Sequence, residues 1–245
     1  MRDGLRVRAA GATDTGRVRE HNEDSLVVGD RVLVVADGMG GHAGGEVASR
    51  IAAEAMTALE HSDPTGPRDV AEAVADANAR ILAAAAEDPG LRGMGTTLTG
   101  LVLVGPEGEE SWVVLNVGDS RTYRLDGDRL RRQTVDHSEV QELVAAGLLD
   151  PEEVAGHPLG HVITRSLGLD PAPEADLWTL DPTAGERFVV CSDGLTDELS
   201  DADLLHVARR HPDTQQAASA LVAAALEAGG RDNVTVLVVD VSADG

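Results

Sequence analysis

The chain has 245 residues, of which 42% are hydrophobic, and a formal net charge of -23 at pH 7. This length and apolar content suffice for a large core, so we expect one domain over residues 1–245. The charge repels nucleic-acid phosphates and anionic lipids, so we expect no nucleic-acid or membrane partner. The single Cys191 excludes a disulfide framework, and no long apolar run or leader is visible, so we expect a cytoplasmic protein.

The first half of the chain is predicted to contain strands near residues 25–28 and 32–36, which are short apolar runs. An Ala-rich helix follows over about 45–59. The breaker HSDPTGP ends it, and a second helix runs to about residue 86.

The second half is predicted to contain more antiparallel strands and a long irregular segment. Strands are expected at 96–104 and 112–117, then a hairpin turning at Asp126-Gly127, a helix at 138–147, a strand at 187–191, two helices within 201–228, and a last strand at 234–241. The Pro- and Gly-rich residues 148–176 lack periodicity, which predicts a surface excursion.

Carboxylates stand at the ends of several predicted strands. Asp37, Asp119 and Asp193 each follow an apolar strand, and Asp232 precedes the last one. In an antiparallel sheet the exit of one strand neighbours the entry of the next. We therefore expect Asp37, Asp193 and Asp232 at one edge, with Asp119 nearby.

The dipeptide at 29–30, Gly-Asp, predicts a two-residue hairpin turn between the first two strands. Counting outward from that turn places Asn22 opposite Asp37. Glu23 and Asp24 then lie within one or two residues of Asp37, which adds two more carboxylates to the cluster.

Six clustered carboxylates repel one another unless cations lie between them. An all-oxygen set with no Cys and few His is typical of Mg²⁺ or Mn²⁺ rather than Zn²⁺. Gly38 allows close approach of the backbone and offers its carbonyl as a further ligand. Taken singly, an Asp-Gly pair is also typical of a plain turn.

A dinucleotide-binding loop is the competing interpretation of the glycines, because Gly38, Gly40 and Ala43 have the G-x-G-x-x-A spacing. Asp37 would direct a negative charge at the pyrophosphate. The helix predicted at 45–59 is followed by another helix and not by a parallel strand. This context disfavours the dinucleotide site.

Two further residues suggest phosphate chemistry. Arg19, four positions before Glu23, can hold a phosphate through two hydrogen bonds, although a surface ion pair is the alternative. His42 follows the glycines and can protonate a leaving oxygen near neutral pH, although a plain surface histidine is the alternative.

Seven stretches occur in a distinctive order: RVREHNEDS, VVADGMGGHAGGEVAS, GMGTTLTG, LNVGDSRTYRL, DHS, VVCSDGLTDEL and GGRDNVTVLVV. In this order they resemble the metal-dependent protein phosphatases of the protein phosphatase 2C family, in its bacterial form, over nearly the whole chain. The resemblance implies an α+β fold, a four-layer αββα sandwich of two antiparallel sheets flanked by helix pairs. It also implies that residues 148–176 form a flap near the metal centre.

The resemblance implies specific roles for the site residues. Asp37 would bridge two tight Mn²⁺ or Mg²⁺ ions, the Gly38 carbonyl would bind one, Asp193 and Asp232 the other, and Glu23 and Asp24 would act directly or through water. Arg19 would hold the phosphoryl oxygens, His42 would be the candidate acid, and Asn233 would shape the Asp232 loop. Asp119 would bind a weak third ion together with Asp193.

The implied activity is hydrolysis of phosphoserine and phosphothreonine on proteins, opposing Ser/Thr kinases, by a monomer. A pseudoenzyme that binds without catalysis, and a stress-signalling phosphatase that acts on a small anti-sigma-antagonist protein, are the alternatives. One departure concerns the flap, where Gly160-His161 stand in place of the family's Arg-Asn. Whether the chain is a free-standing enzyme or part of a longer protein stays open.

Overall fold

The computed structural model describes residues 5–40, 44–62, 64–154 and 157–243. Its strands are β1 (Leu5–Asp14), β2 (Asp24–Val28), β3 (Val32–Met39), β4 (Gly95–Thr96), β5 (Leu98–Val104), β6 (Ser111–Val117), β7 (Arg121–Asp126), β8 (Arg129–Arg132), β9 (Asp176–Leu180), β10 (Arg187–Cys191) and β11 (Val234–Ala243). Its α-helices are α1 (Gly44–Glu60), α2 (Pro67–Glu87), α3 (Glu139–Ala145), α4 (Asp193–Thr196), α5 (Asp201–Arg210) and α6 (Thr214–Ala228).

The strands form two antiparallel sheets. One sheet has the order β1-β11-β10-β7-β8, and the other has the order β2-β3-β5-β6-β9 with β4 paired to β3. Apolar side chains from both sheets meet in a shared core that includes Leu33, Leu101, Trp112, Phe188 and Leu237. Burial of this inner face against the other sheet is what holds the two sheets together.

Helices cover both outer faces of the sandwich. Residues of α1 and α2 pack on the β2-β3-β5-β6 face, and residues of α5 and α6 pack on the opposite sheet. The buried contacts of α1 are made largely by small side chains, including Ala48, Ala52 and Ala55, which let the helix lie close to the sheet. The four-layer αββα arrangement expected from the resemblance is therefore confirmed.

Most predicted elements are present, with three differences among the strands. β1 was not predicted, because Ala9, Ala10, Gly11 and Ala12 give it a weak apolar signal. β9 was also not predicted, because it adjoins the Pro-rich segment. The predicted strand 96–104 is divided into β4 and β5, which pair with different parts of β3.

Both predicted hairpin turns are displaced. In the β7-β8 hairpin Asp126 pairs with Arg129, so the turn residues are 127–128. In the β2-β3 hairpin Val28 pairs with Leu33, and the Gly29 amide donates to the Val32 carbonyl at 2.9 Å. Its turn residues are therefore 30–31.

The displaced β2-β3 turn has a tertiary cause. The Glu60 carboxylate, at the end of α1, accepts the amides of Asp30, Arg31 and Val32 at 2.9, 3.0 and 2.6 Å. These hydrogen bonds fix the turn from a helix about 30 positions away. As a consequence Asp24 pairs with Asp37, and the predicted pairing of Asn22 with Asp37 is wrong.

Residues 148–154 and 157–175, between α3 and β9, are mostly irregular, as predicted. They contain a 3₁₀ turn at Pro151–Glu153 and are attached through isolated bridges of Ile163 with Ser138 and of Leu167 with Thr96. Within the described residues, no helix has the length and apolarity needed to span a bilayer.

Candidate metal centre

The ends of strands from both sheets carry the predicted carboxylates. Asp37 lies near the end of β3, directly opposite Asp24, the first residue of β2. Asp193 begins α4 two residues after the end of β10, and Asp232 lies two residues before β11. Asp119 occupies the turn between β6 and β7. The sheet edges thus hold the acids in one region.

The acids are close enough for their charges to interact. The charge of Asp37 interacts with those of Asp24, Asp193 and Asp119. Asp193 in turn interacts with Asp232. Glu23 interacts with Asp232 and with Arg19. All six predicted carboxylates and the predicted arginine are therefore brought together, as expected from the strand ends.

The acids have raised pKa values because the protein surrounds them and because they repel one another. Burial, followed by the charges of Asp24, Asp193 and Asp119, raises the pKa of Asp37 well above its usual range. Burial raises the pKa of Asp24 to about 7 and that of Asp119 to about 8. Burial and the Asp197 charge raise the pKa of Asp193 to about 6. Without a compensating cation, ionisation of this cluster is costly.

Several carboxylate oxygens in the cluster have no protein partner. Among the described residues, Glu23 Oε1, Asp24 Oδ1 and Asp119 Oδ1 are buried and accept no hydrogen bond. Unsatisfied buried acceptors of this kind are rare unless a ligand, ion or water uses them. Together with the all-oxygen donor set, they fit a hard divalent cation such as Mg²⁺ or Mn²⁺.

Other polar groups of Asp24 and Asp37 are held by residues that flank neighbouring strands. Asp24 Oδ2 accepts the Ser192 hydroxyl at 2.8 Å, and the Thr235 amide donates to the same hydroxyl oxygen at 3.0 Å. The Asp37 amide donates to Thr97 Oγ1 at 3.0 Å, and the Asp37 carbonyl accepts the Thr97 amide at 2.9 Å. The site is therefore built on fixed backbone.

Gly38 lies where three backbone segments converge. A Cβ atom at this position would lie 2.1 Å from the Gly45 carbonyl oxygen and 2.5 Å from that of Glu23. These are rigid backbone atoms, so no larger residue fits without moving α1 or the start of β2. The close approach expected from the sequence is present.

Arg19 lies at the cleft with its Nη2 atom 2.6 Å from Asp232 Oδ2, and about half of its side chain is exposed. Both Asp232 carboxylate oxygens are engaged, because Oδ1 accepts the Asn233 amide at 2.8 Å. The ion pair that the sequence analysis gave as the alternative role of Arg19 is thus present. The rest of the Arg19 side chain is open to solvent. His42 lies outside the described residues.

Asn233 fixes the loop that carries Arg19. Its Oδ1 accepts the Glu23 amide at 2.8 Å, and its Nδ2 donates to the carbonyls of Thr15 at 2.8 Å and His21 at 2.9 Å. It therefore shapes the 15–23 loop through its side chain, in addition to holding Asp232 through its amide.

Four of the acids, Glu23, Asp37, Asp193 and Asp232, line a cleft of about 1410 Å³. Residues of the 148–176 segment, including His157 and His161, form part of its wall. His161 Nδ1 lies 3.5 Å from Asp197 Oδ2, and with Asp193 these residues offer three ligand atoms within 4.8 Å of one another. Asp197 was missed, although its position four residues after Asp193 places both on one face of a helical turn.

A family profile described as Protein phosphatase 2C matches residues 16–228. Among curated relatives, the serine/threonine protein phosphatase PstP of Mycobacterium tuberculosis (strain CDC 1551 / Oshkosh) is 41% identical over 97% of this chain and 45% of its own length. This chain thus spans about half of that relative. The serine/threonine phosphatase stp of Listeria innocua is 33% identical, with 93% of each chain covered.

Solved structures agree with these matches. A crystal structure of the Mycobacterium tuberculosis phosphatase PstP/Ppp has a TM-score of 0.89 at 40% identity, covering 96% of this chain and 98% of that one. A structure of the PstP catalytic domain in complex with two manganese ions has a TM-score of 0.87 at 40% identity, covering 97% and 99%. This chain belongs to the protein phosphatase 2C family.

Proposed function

We propose that the chain hydrolyses phosphoserine and phosphothreonine on proteins and depends on Mn²⁺ or Mg²⁺. The observation that carries this proposal is the set of buried carboxylate oxygens without protein partners at the sheet edges. The relatives named as serine/threonine phosphatases, and the two manganese ions in the PstP structure, support it.

The carboxylates provide an all-oxygen ligand set for two tightly bound ions. Asp37 would bridge both ions and the Gly38 carbonyl would bind one of them. Asp193 and Asp232 would bind the other, with Glu23 and Asp24 acting directly or through water. When bound, two such ions lower the pKa of a water molecule and neutralise charge that develops on the phosphoryl group.

The protein's own groups orient the substrate and the ligands. Arg19 lies beside Asp232 with half of its guanidinium side chain exposed, so its remaining N–H groups can bind phosphoryl oxygens. Thr97 and Ser192 hold the Asp37 backbone and the Asp24 carboxylate, which keeps the carboxylate geometry fixed before substrate arrives. His42 would protonate the leaving oxygen.

A weak third ion would contact Asp119 and Asp193. The unpaired Asp119 Oδ1 and its repulsion from Asp193 support this site. His161 and Asp197 lie beside Asp193 and offer further ligand atoms. With few protein ligands, such an ion keeps several waters and binds loosely.

The partners of this activity are phosphorylated proteins, and Ser/Thr kinases would supply them. Residues 1–245 would act as one catalytic unit, as a monomer in the cytoplasm without nucleic-acid or membrane partners. Residues 148–176 would act as the flap over the cleft. A pseudoenzyme is disfavoured, because a binding module has no physical need for this costly cluster of acids.

The test is hydrolysis of a phosphothreonine peptide by chain dialysed against a chelator. We expect no turnover until Mn²⁺ or Mg²⁺ is added, and no activation by Zn²⁺ alone, because the donors are hard oxygens. A phosphotyrosine peptide of the same sequence is the substrate control. Full activity after exhaustive chelation would contradict the proposed metal dependence.

A further inference from the structure

His137 is a buried histidine of the DHS stretch to which the proposed function gives no role. Its side chain is only 5% exposed. It follows β8 and lies between the Asp119 turn and the 148–176 segment, where hydrogen bonds connect it to both.

Toward the Asp119 turn, His137 holds Gly118 on both sides. The Gly118 amide donates to His137 Nδ1 at 3.1 Å, and the His137 amide donates to the Gly118 carbonyl at 2.9 Å. Asn116 Nδ2 donates to the same carbonyl at 3.0 Å. The residue directly before Asp119 is therefore fixed in place chiefly by His137.

On its other side, His137 is hydrogen-bonded to Thr164 and Asp176, which stand at the two ends of residues 164–176. Because Nδ1 accepts a hydrogen bond, the neutral ring carries its proton on Nε2, which lies 3.2 Å from Asp176 Oδ2. Arg165 donates to the other Asp176 oxygen at 3.0 Å, and the Thr164 amide donates to the His137 carbonyl at 2.8 Å. Burial lowers the pKa of His137, which favours the neutral ring.

Asp119 needs such external support. Its carboxylate is buried, its Oδ1 accepts no hydrogen bond from the described residues, and Asp193 repels it, so its placement beside Asp193 depends on the backbone of the 118–120 turn. Gly118 has a φ of +106° and a Cβ there would lie 2.5 Å from Thr97 Cγ2. The direction of the Asp119 side chain therefore depends on the unusual Gly118 conformation that His137 secures.

We propose that His137 is a positioning residue for Asp119. Its Nδ1 accepts the Gly118 amide, and the contact of Nε2–H with Asp176 sets the tautomer that leaves Nδ1 free to accept. The proposal rests on the proposed function, in which Asp119 binds a weak divalent cation. Replacing a group that orients a metal-binding side chain typically lowers the metal affinity by about 10- to 100-fold.

Two substitutions separate the two ring nitrogens. In His137→Asn, the side-chain oxygen Oδ1 takes the place of Nδ1 as an acceptor, because both atoms are bonded to Cγ. The shorter asparagine side chain does not reach Asp176. His137→Gln places its amide near the Nε2 position and leaves the Gly118 amide without an acceptor. The exposed His206 on α5 provides the control variant His206→Asn, and Asp119→Ala defines complete loss of the weak ion.

Mn²⁺ binding is measured by equilibrium dialysis, alongside the Mn²⁺ dependence of kcat and KM and the melting temperature. For His137→Gln we expect the weak ion to bind about 10-fold less tightly or worse, with the two tight ions retained. As a result, kcat of His137→Gln is lowered at limiting Mn²⁺, and excess Mn²⁺ restores it. His137→Asn stays close to wild type. Equal losses in both variants, or wild-type Mn²⁺ binding by His137→Gln, would overturn the proposal.

Long-range ¹H–¹⁵N NMR of the unsubstituted protein tests the same geometry without any variant. We expect His137 as the Nε2–H tautomer and slow exchange of the Gly118 amide. An Nδ1–H tautomer would overturn the proposal, even if both variants fail to fold. If the unsubstituted protein binds no Mn²⁺, the proposed function fails, and the tautomer and the exchange rate decide the role of His137.

Discussion

The two walls of the cleft are built differently. The carboxylate edge consists of strand ends held by hydrogen bonds, through the backbone of Asp37 with Thr97 and through the side chain of Asp24 with Ser192. The opposite wall, from the described residues of the 148–176 segment, is mostly irregular, and the His161 side chain is 72% exposed there. Fixed strand ends suit the positioning of charge, and an exposed irregular wall suits contact with varied surfaces. We therefore expect changes at the edge to affect turnover and changes in the segment to affect it little.

The largest expected effect is that of Asp37→Asn. It removes a charge from the centre of the cluster, so phosphopeptide turnover falls by about 100-fold or more, as expected for several kcal/mol of lost charge stabilisation. The melting temperature in chelator rises, because a partly buried carboxylate that its neighbours repel is gone. Asp30→Asn, at the exposed turn of the same hairpin, is the control. Wild-type turnover by Asp37→Asn would contradict the assignment.

The second prediction concerns the pH dependence of stability in chelator. In the unfolded chain Asp titrates near pH 4, whereas Asp193, Asp24 and Asp119 have folded pKa values of about 6, 7 and 8. Between these values the folded state binds more protons than the unfolded state, so stability falls as pH rises from 5 to 8. We expect a melting temperature lower by about 2–4 °C or more at pH 8, the effect of about 1 kcal/mol.

Two controls sharpen the pH prediction. Saturating Mn²⁺ should remove most of the slope, because a bound cation keeps the carboxylates ionised in the folded state. Asp119→Asn should flatten the upper part of the range, since the pKa of Asp119 is raised to about 8. A melting temperature in chelator that rises from pH 5 to 8 would show that the acids do not repel one another.

The smallest expected effect is that of His161→Ala in the irregular wall. It removes one exposed ligand atom beside Asp197, so the Mn²⁺ concentration for half-maximal turnover rises by less than about fivefold, since exposed contacts contribute about 1 kcal/mol or less. Turnover at saturating Mn²⁺ is retained. His157→Ala, in the same wall, is the matched control. If His161→Ala lost as much turnover as Asp37→Asn, the expected difference between the two walls would be wrong.

The sequence was sufficient to predict that Asp37, Asp193 and Asp232 gather, because each stands at the end of an apolar strand. It was not sufficient for the pairing of Asp24 with Asp37, because Glu60 on a distant helix decides the turn. Asp197 could have been found from its helical spacing after Asp193. The hydrogen bond between His137 and Gly118 joins residues that are 19 positions apart. It involves an irregular turn, so the spacing of hydrophobic residues in the sequence does not predict it.

Asn233 has a consequence for the order in which the molecule is completed during synthesis. It bonds the Glu23 amide across 210 positions of sequence, and β1 pairs with β11 along ten residues. Such long-range contacts form late, because a ribosome releases the N-terminal side first. The loop that carries Arg19 therefore lacks the hydrogen bonds that hold it until Asn233 has emerged from the ribosome. A nascent chain shorter than this exposes its acids without an assembled centre, so activity begins only when β11 takes its place.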